Sequence, residues 1–95
     1  MIKHVVMYKL NDPNEENALA LKEKFLSMRG KIKELLSIDA GTDILHTDRS
    51  YNVVLICEFN TVADMDAYQN NPIHLEVKSY VKSVVSQAKS VDYEF

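Results

Sequence analysis

The stretch Ile2-Lys3-His4-Val5-Val6-Met7-Tyr8-Lys9-Leu10 decides how this chain folds. It is rich in β-branched and aromatic residues, which suit a pleated, half-buried surface, so it reads as a strand. Successive side chains of a strand point to opposite faces, which places Ile2, His4, Val6, Tyr8 and Leu10 on one side. Val5 and Met7 lie on the other, between Lys3 and Lys9. Both sides carry apolar groups, and the sheet built on this strand therefore needs two covers.

Moving outward, Asp12-Pro13-Asn14-Glu15 supplies a helix start: an aspartate to cap, a proline for the first turn and a glutamate to close a capping box. Ala18, Leu21, Phe25, Met28, Ile32 and Leu35 then recur at three- and four-residue steps and predict one long amphipathic helix. Gly30 weakens its later turns by about 1 kcal/mol relative to alanine. Ser37 to His46 reads as a second strand, diluted by Gly41 and by the charges of Asp39 and Asp43, and is expected at a sheet edge. After the turn cluster Thr47-Asp48-Arg49-Ser50, the segment Tyr51 to Phe59 is the most hydrophobic run in the chain and suits a central strand.

A second helix opens at Thr61 and must stop at Asn71-Pro72, because the residue before a proline is pushed out of the helical region. Asn71 can cap a new helix with Pro72 at its first position, so His74 falls in the opening turn. The positive end of a helix disfavours an imidazolium there, leaving a neutral ring able to take a proton. Tyr68, on the last turn of the preceding helix, faces the same space. Ile73, Val77, Tyr80, Val81 and Val84 form an inward stripe, and Val91, Tyr93 and Phe95 alternate with Asp92 and Glu94 in a last strand.

The order is β-α-β-β-α-β, which in the α+β class is the split βαβ or ferredoxin-like plan: an antiparallel sheet with its helices on one face. His4, Val6, Tyr8, Val53, Leu55 and Cys57 are expected beneath Phe25, Tyr68 and Ile73, and a ligand pocket belongs among them. Val5, Met7, Val54 and Ile56 would leave the far face too apolar for a small monomer, and a homodimer formed by that face resolves the conflict.

Composition narrows the function. At 95 residues, 46% hydrophobic and 26% charged, the chain suits a single folded domain spanning residues 1–95. The net charge of -3 and the scattered basic residues carry no nucleic-acid footprint and no attraction for an anionic membrane. The start of the sequence lacks a signal-peptide pattern and no span reaches transmembrane length, from which a cytoplasmic location is expected. The lone Cys57 reads as a small core residue. His4, His46 and His74 lie on different elements without paired ligand spacing, so no metal is expected. With only Gly30 and Gly41, phosphate-cradling and dinucleotide loops are absent, and no cofactor is expected.

The opening His4-Val5-Val6-Met7-Tyr8-Lys9-Leu10, the turn Asp48-Arg49-Ser50-Tyr51, Ala67-Tyr68-Gln69 followed by Pro72-Ile73-His74, and the closing Val91-Asp92-Tyr93 together resemble the stress-responsive dimeric α/β barrel (Dabb) domain family across essentially the whole chain. The resemblance implies that two ferredoxin-like subunits join their sheets into a barrel. It also implies roles drawn from a plant member, olivetolic acid cyclase, which uses a tyrosine and a histidine in the same Tyr-x-x-x-Pro-x-His frame without metal or organic cofactor. By that likeness His74 is the general base that removes a proton beside a ketone, Tyr68 holds the enolate oxygen, and His4 is a further pocket histidine. The cyclase has histidines where this chain has Val53 and Asn71.

Three readings result. The first is a small dimeric domain binding an apolar or aromatic metabolite among His4, Val6, Tyr8, Phe25, Val53, Leu55 and Ile73. The second is a cofactor-free enzyme, polyketide-cyclase-like or monooxygenase-like, in which Tyr68 and His74 are catalytic. The third is a structural, oligomer-forming module without chemistry.

Overall fold

A computed structural model describes residues 1–95. The elements are β1 (Ile2–Leu10), α1 (Glu15–Leu26), β2 (Ser37–Thr42), β3 (Val53–Phe59), α2 (Val62–Asn70), α3 (Pro72–Val84) and β4 (Val85–Glu94). They form one four-stranded sheet in the order β2-β3-β1-β4. Every neighbouring pair in it is antiparallel. This is the ferredoxin-like arrangement, with β1 and the hydrophobic β3 side by side at the centre and the diluted β2 at one edge.

The register of β1 against β3 pairs His4 with Cys57, Val6 with Leu55 and Tyr8 with Val53. All six are buried. They form the floor of the core, and Leu21 and Phe25 of α1, Tyr68 of α2 and Val77 of α3 close over them. Phe25 leans on Tyr8 with ring centroids 5.0 Å apart, and Tyr68 on Phe59 at the same separation. Burying each such ring contributes roughly 1.5–3 kcal/mol, so the aromatic roof supplies a large share of a small domain's stability.

Several boundaries differ from those the sequence predicts, each for a local reason. The cap of α1 is Asn14 rather than Asp12: the Asn14 side chain accepts the Asn17 N–H at 2.8 Å, and Pro13 lies ahead of the helix. That helix ends at Leu26. Between Ser27 and Leu36 the chain advances by tight turns, in which Met28, Arg29, Lys31 and Leu35 each donate to the carbonyl three residues back. Gly30 sits at φ 75° within them, a conformation that glycine adopts without a Cβ penalty. Met28, Ile32 and Leu35 are nonetheless buried, so their spacing reported inward-facing positions correctly and helical continuation wrongly.

Strand β2 stops at Thr42, short of His46, and β3 begins at Val53. Asn52 fixes the intervening loop: its N–H donates to the Tyr8 carbonyl, its side chain accepts from Leu10 N–H, and its carbonyl accepts from Asp43 N–H. The second helical segment is two helices, as the proline demands, giving β-α-β-β-α-α-β. Thr61 caps α2 and Asn71 caps α3, with Pro72 at its start. β4 is longer than the predicted Val91–Phe95 stretch because α3 passes straight into it at Val85.

The two faces of the sheet differ sharply. On the side away from the helices Met7 is 42% exposed, Val91 58%, Tyr93 46% and Phe95 54%, with Val5, Val54 and Ile56 only partly covered. Val5 stands between Ile56 and Val91 in the ladder, which makes the apolar surface continuous across three strands. No helix is long and apolar enough to cross a membrane.

Candidate functional site

The interruption at Asn71-Pro72 creates the site. Asn71 adopts ψ 135°, outside the helical region, and its side chain accepts the Ile73 N–H at 2.9 Å, so α3 starts on a new axis directly after α2. The break brings the last turn of one helix against the first turn of the next, and the rings of Tyr68 and His74 meet with centroids 4.4 Å apart.

His74 Nδ1 lies 3.1 Å from the carbonyl oxygen of Gln69, left without an intrahelical donor by the same break. A carbonyl only accepts, so Nδ1 carries the proton and the neutral ring keeps its lone pair on Nε2. Burial lowers the His74 pKa below its ordinary value; the Gln69 hydrogen bond opposes this, and the nearby Lys78 and His4 add to it. The neutrality expected from the helix terminus thus arises mainly from desolvation.

Tyr68 is fully buried. Its hydroxyl accepts the Cys57 thiol proton across 3.9 Å, which leaves the phenol's own proton free to be given elsewhere. Burial, followed by the neighbouring Cys57, drives the Tyr68 pKa far above the usual phenol range, and burial does the same to Tyr8. Both phenols stay protonated, each with a proton available to donate. Burial pushes the Cys57 thiol up to about 12, so it is a packing residue and an inert one.

On the floor, His4 Nδ1 is hydrogen-bonded to a carboxylate oxygen of Asp92 on β4, its direct partner in the ladder. The carboxylate orients the imidazole and leaves Nε2 without a partner.

These groups enclose a cavity of about 60 Å³ lined by His4, Tyr8, Phe25, Leu55, Tyr68 and His74, together with Val77, Lys78 and Val81 of α3. Val6 and Val53 lie in the core outside its wall, as does the partly buried Ile73. The sequence reading did not include Val77, Lys78 and Val81 in the site, although with His74 they follow the i, i+3, i+4, i+7 rule for one helix face. It also omitted Asp92, which no local pattern marks. The volume accommodates about two water molecules; a cavity that takes benzene measures roughly 150 Å³. An aromatic ring therefore does not fit unless side chains move.

A roomier hollow of about 290 Å³ lies at the start of α1, lined by Asn14, Glu15, Asp43, His46 and Asn52 among others. Its histidine is exposed and stands 3.6 Å from Asp43. No three His, Cys, Asp or Glu side chains converge anywhere in the fold in a way that could hold a metal ion.

Comparison with known proteins agrees with this architecture. The family model described as the stress responsive A/B barrel domain matches residues 2–95. A dimeric protein of unknown function and ferredoxin-like fold from Bacteroides fragilis is 27% identical; the match covers 99% of this chain and 95% of that one, with a TM-score of 0.83. A hydroxynitrile lyase from Passiflora edulis shares the fold at 16% identity, covering 97% of this chain and 90% of its own with a TM-score of 0.81. An antibiotic biosynthesis monooxygenase shares it at 13% identity, covering 100% and 98%, with a TM-score of 0.78. No curated protein matches the chain.

Proposed function

The chain belongs to the stress responsive A/B barrel domain family, and on that footing we propose that it acts as a homodimer whose subunits each bind a small organic molecule between sheet and helices and remove a proton from carbon without a cofactor. One observation carries the catalytic part: His74 has Nδ1 engaged by the Gln69 carbonyl, so a desolvated, neutral ring offers Nε2 as a base beside the Tyr68 phenol. Dimerisation is supported by the apolar far face of the sheet and by relatives described as dimeric. A cytoplasmic setting, where Cys57 stays reduced, belongs to the same reading.

The step is a carbon-acid deprotonation. Nε2 of His74 takes a hydrogen next to a carbonyl, the C–H pair becomes the carbon–carbon double bond, and the carbonyl π pair moves to oxygen. Tyr68, held protonated by burial, donates to that oxygen as it gains charge. His4, oriented by Asp92, offers a second nitrogen at which a proton can be kept or returned. The apolar walls supplied by Phe25, Leu55, Val77 and Val81 limit the water around these polar contacts and strengthen them.

Incubating the protein with small ketones and aldehydes in deuterated water, and following loss of the acidic C–H signal by NMR, tests this reading. Exchange that is abolished in His74→Ala supports it, and exchange unaltered in that variant removes the base assignment. A second reading, an assembly module without chemistry, is favoured by the small size of the cavity and is chosen if no carbon acid exchanges and no ligand raises the melting temperature.

A further inference from the structure

Lys78 is the one cationic side chain in the cavity wall, and it forms no ion pair: the salt bridges of the fold join Lys3 to Glu58, His4 to Asp92, Lys33 to Glu34 and His46 to Asp43. The other lysines beside aromatic rings, Lys3, Lys9 and Lys24, lie over Phe95, Tyr51 and Tyr80. Lys78 has neither kind of partner. It is exposed, whereas His74, one helical turn before it, is half-buried, so it stands at the mouth of the cavity whose depths hold His74 and Tyr68. No carboxylate lines the cavity, and Asp92, beneath it, is held by His4 Nδ1.

From this geometry we infer that the site takes short-chain oxo carboxylates, with the carboxylate on Lys78 at the mouth and the ketone and its acidic carbon enclosed between Tyr68 and His74. The inference rests on the proposed proton-abstraction reading and names its substrate class. Size and charge support it independently. The enclosed space holds about two to four heavy atoms, enough for a carbonyl and an adjacent methyl or methylene and too little for a ring. Residues four apart on a helix are neighbours, so the long Lys78 stem can bring its ammonium to a carboxylate only one or two bonds from the carbon that meets His74. Inside the cavity the donors Tyr8 and Tyr68 are neutral, so the one place for a full negative charge is the mouth, where Lys78 and solvent share it. A cation there also lowers the pKa of His74, which keeps the base neutral before substrate arrives.

Pyruvate and acetone form the discriminating pair, since they share a methyl ketone and differ in the carboxylate. Ligand-observed NMR titrations of the dimer should give pyruvate the higher affinity, weakening as salt is raised. Lys78→Gln should weaken pyruvate binding about five- to tenfold, Lys78→Arg should restore most of it, and acetone should respond to neither. Unchanged melting temperatures would show that the exposed substitutions leave the fold intact. Pyruvate that binds no better than acetone, binds equally to Lys78→Gln, or does not bind overturns the inference. Deuterium exchange at the pyruvate methyl is read in the same samples: binding with the expected Lys78 dependence but no exchange beyond buffer would leave the carboxylate site standing and remove the proton-abstraction reading.

Discussion

The central strand β1 shows two unlike surfaces to its surroundings. Its even-numbered residues lie under the helices, where a histidine is tolerated because a carboxylate holds it. Its odd-numbered residues pair Val5 with Ile56 and Val91 and Met7 with Val54 in an apolar sheet surface that nothing in the chain covers. One strand thus separates two tasks. In the proposed dimer the uncovered face gains by burying hydrocarbon against a second copy, at roughly 25 cal/mol per Å². The covered face already has its hydrocarbon buried and uses the remaining space for groups whose protonation is set by desolvation. A surface without polar commitments suits assembly, and a surface whose buried polar groups are held by one hydrogen bond with another atom left free suits chemistry.

The strongest way to break this division is Ile56→Asp, at the centre of the uncovered face. An unpaired charge buried in an interface costs about 3–5 kcal/mol, and a symmetric dimer carries it twice. Sedimentation at micromolar concentration should show a dimer for the original chain and a folded monomer for the variant; a variant that remains fully dimeric would mean the sheet face is not the interface.

On the opposite face, His74→Ala should reduce carbon-acid turnover by about 10²–10⁴ while the dimer persists. Tyr68→Phe keeps the ring that packs on Phe59 and His74 and removes only the hydroxyl. Its turnover should fall by about 10², with the loss in kcat rather than KM, because the donor acts on charge that develops in the transition state. Equal losses in binding and in rate would make Tyr68 a wall residue.

The pH dependence sharpens the same contrast. The folded-state pKa of His74 lies below the unfolded value of 6.5. Above 6.5 neither state binds a proton at this ring and its contribution to stability is fully present. As pH falls below 6.5 the unfolded chain protonates first, so folding stability declines until the folded pKa is passed. Turnover should share an acid limb centred below 6.5, and in His74→Ala the turnover limb should vanish and the stability loss shrink. A limb centred above 6.5 would place the titrating base elsewhere.

How far the sequence could be read depended on whether a signal was local. Asn71-Pro72 declares a helix restart within two residues, and Tyr68 and His74 flank it, so their meeting was legible. The core positions Met28, Ile32 and Leu35 were legible as buried because burial follows spacing, but the path between them was not. Three-residue turns and a helix place apolar groups at similar intervals, and only the positive φ of Gly30 distinguishes them. The His4–Asp92 pair could not be seen because it joins residues 88 apart and depends on the β1–β4 register. Lys78 reads as an ordinary surface charge until the cavity beside it is known.

Gly30 gives the smallest effect and a control for both faces. A Cβ added there meets nothing within 4 Å, so Gly30→Ala carries no steric contact with the rest of the fold. What remains is the cost of holding a non-glycine residue at φ 75°, about 1–2 kcal/mol, which in a domain this size lowers the melting temperature by about 4–8 °C per kcal/mol. Dimer affinity and turnover should be unchanged, since the turn at Gly30 touches neither the uncovered sheet face nor the cavity wall. A stabilised variant would show that residues 27–36 are helical in solution, which would move Met28 and Ile32 and with them the packing behind Phe25.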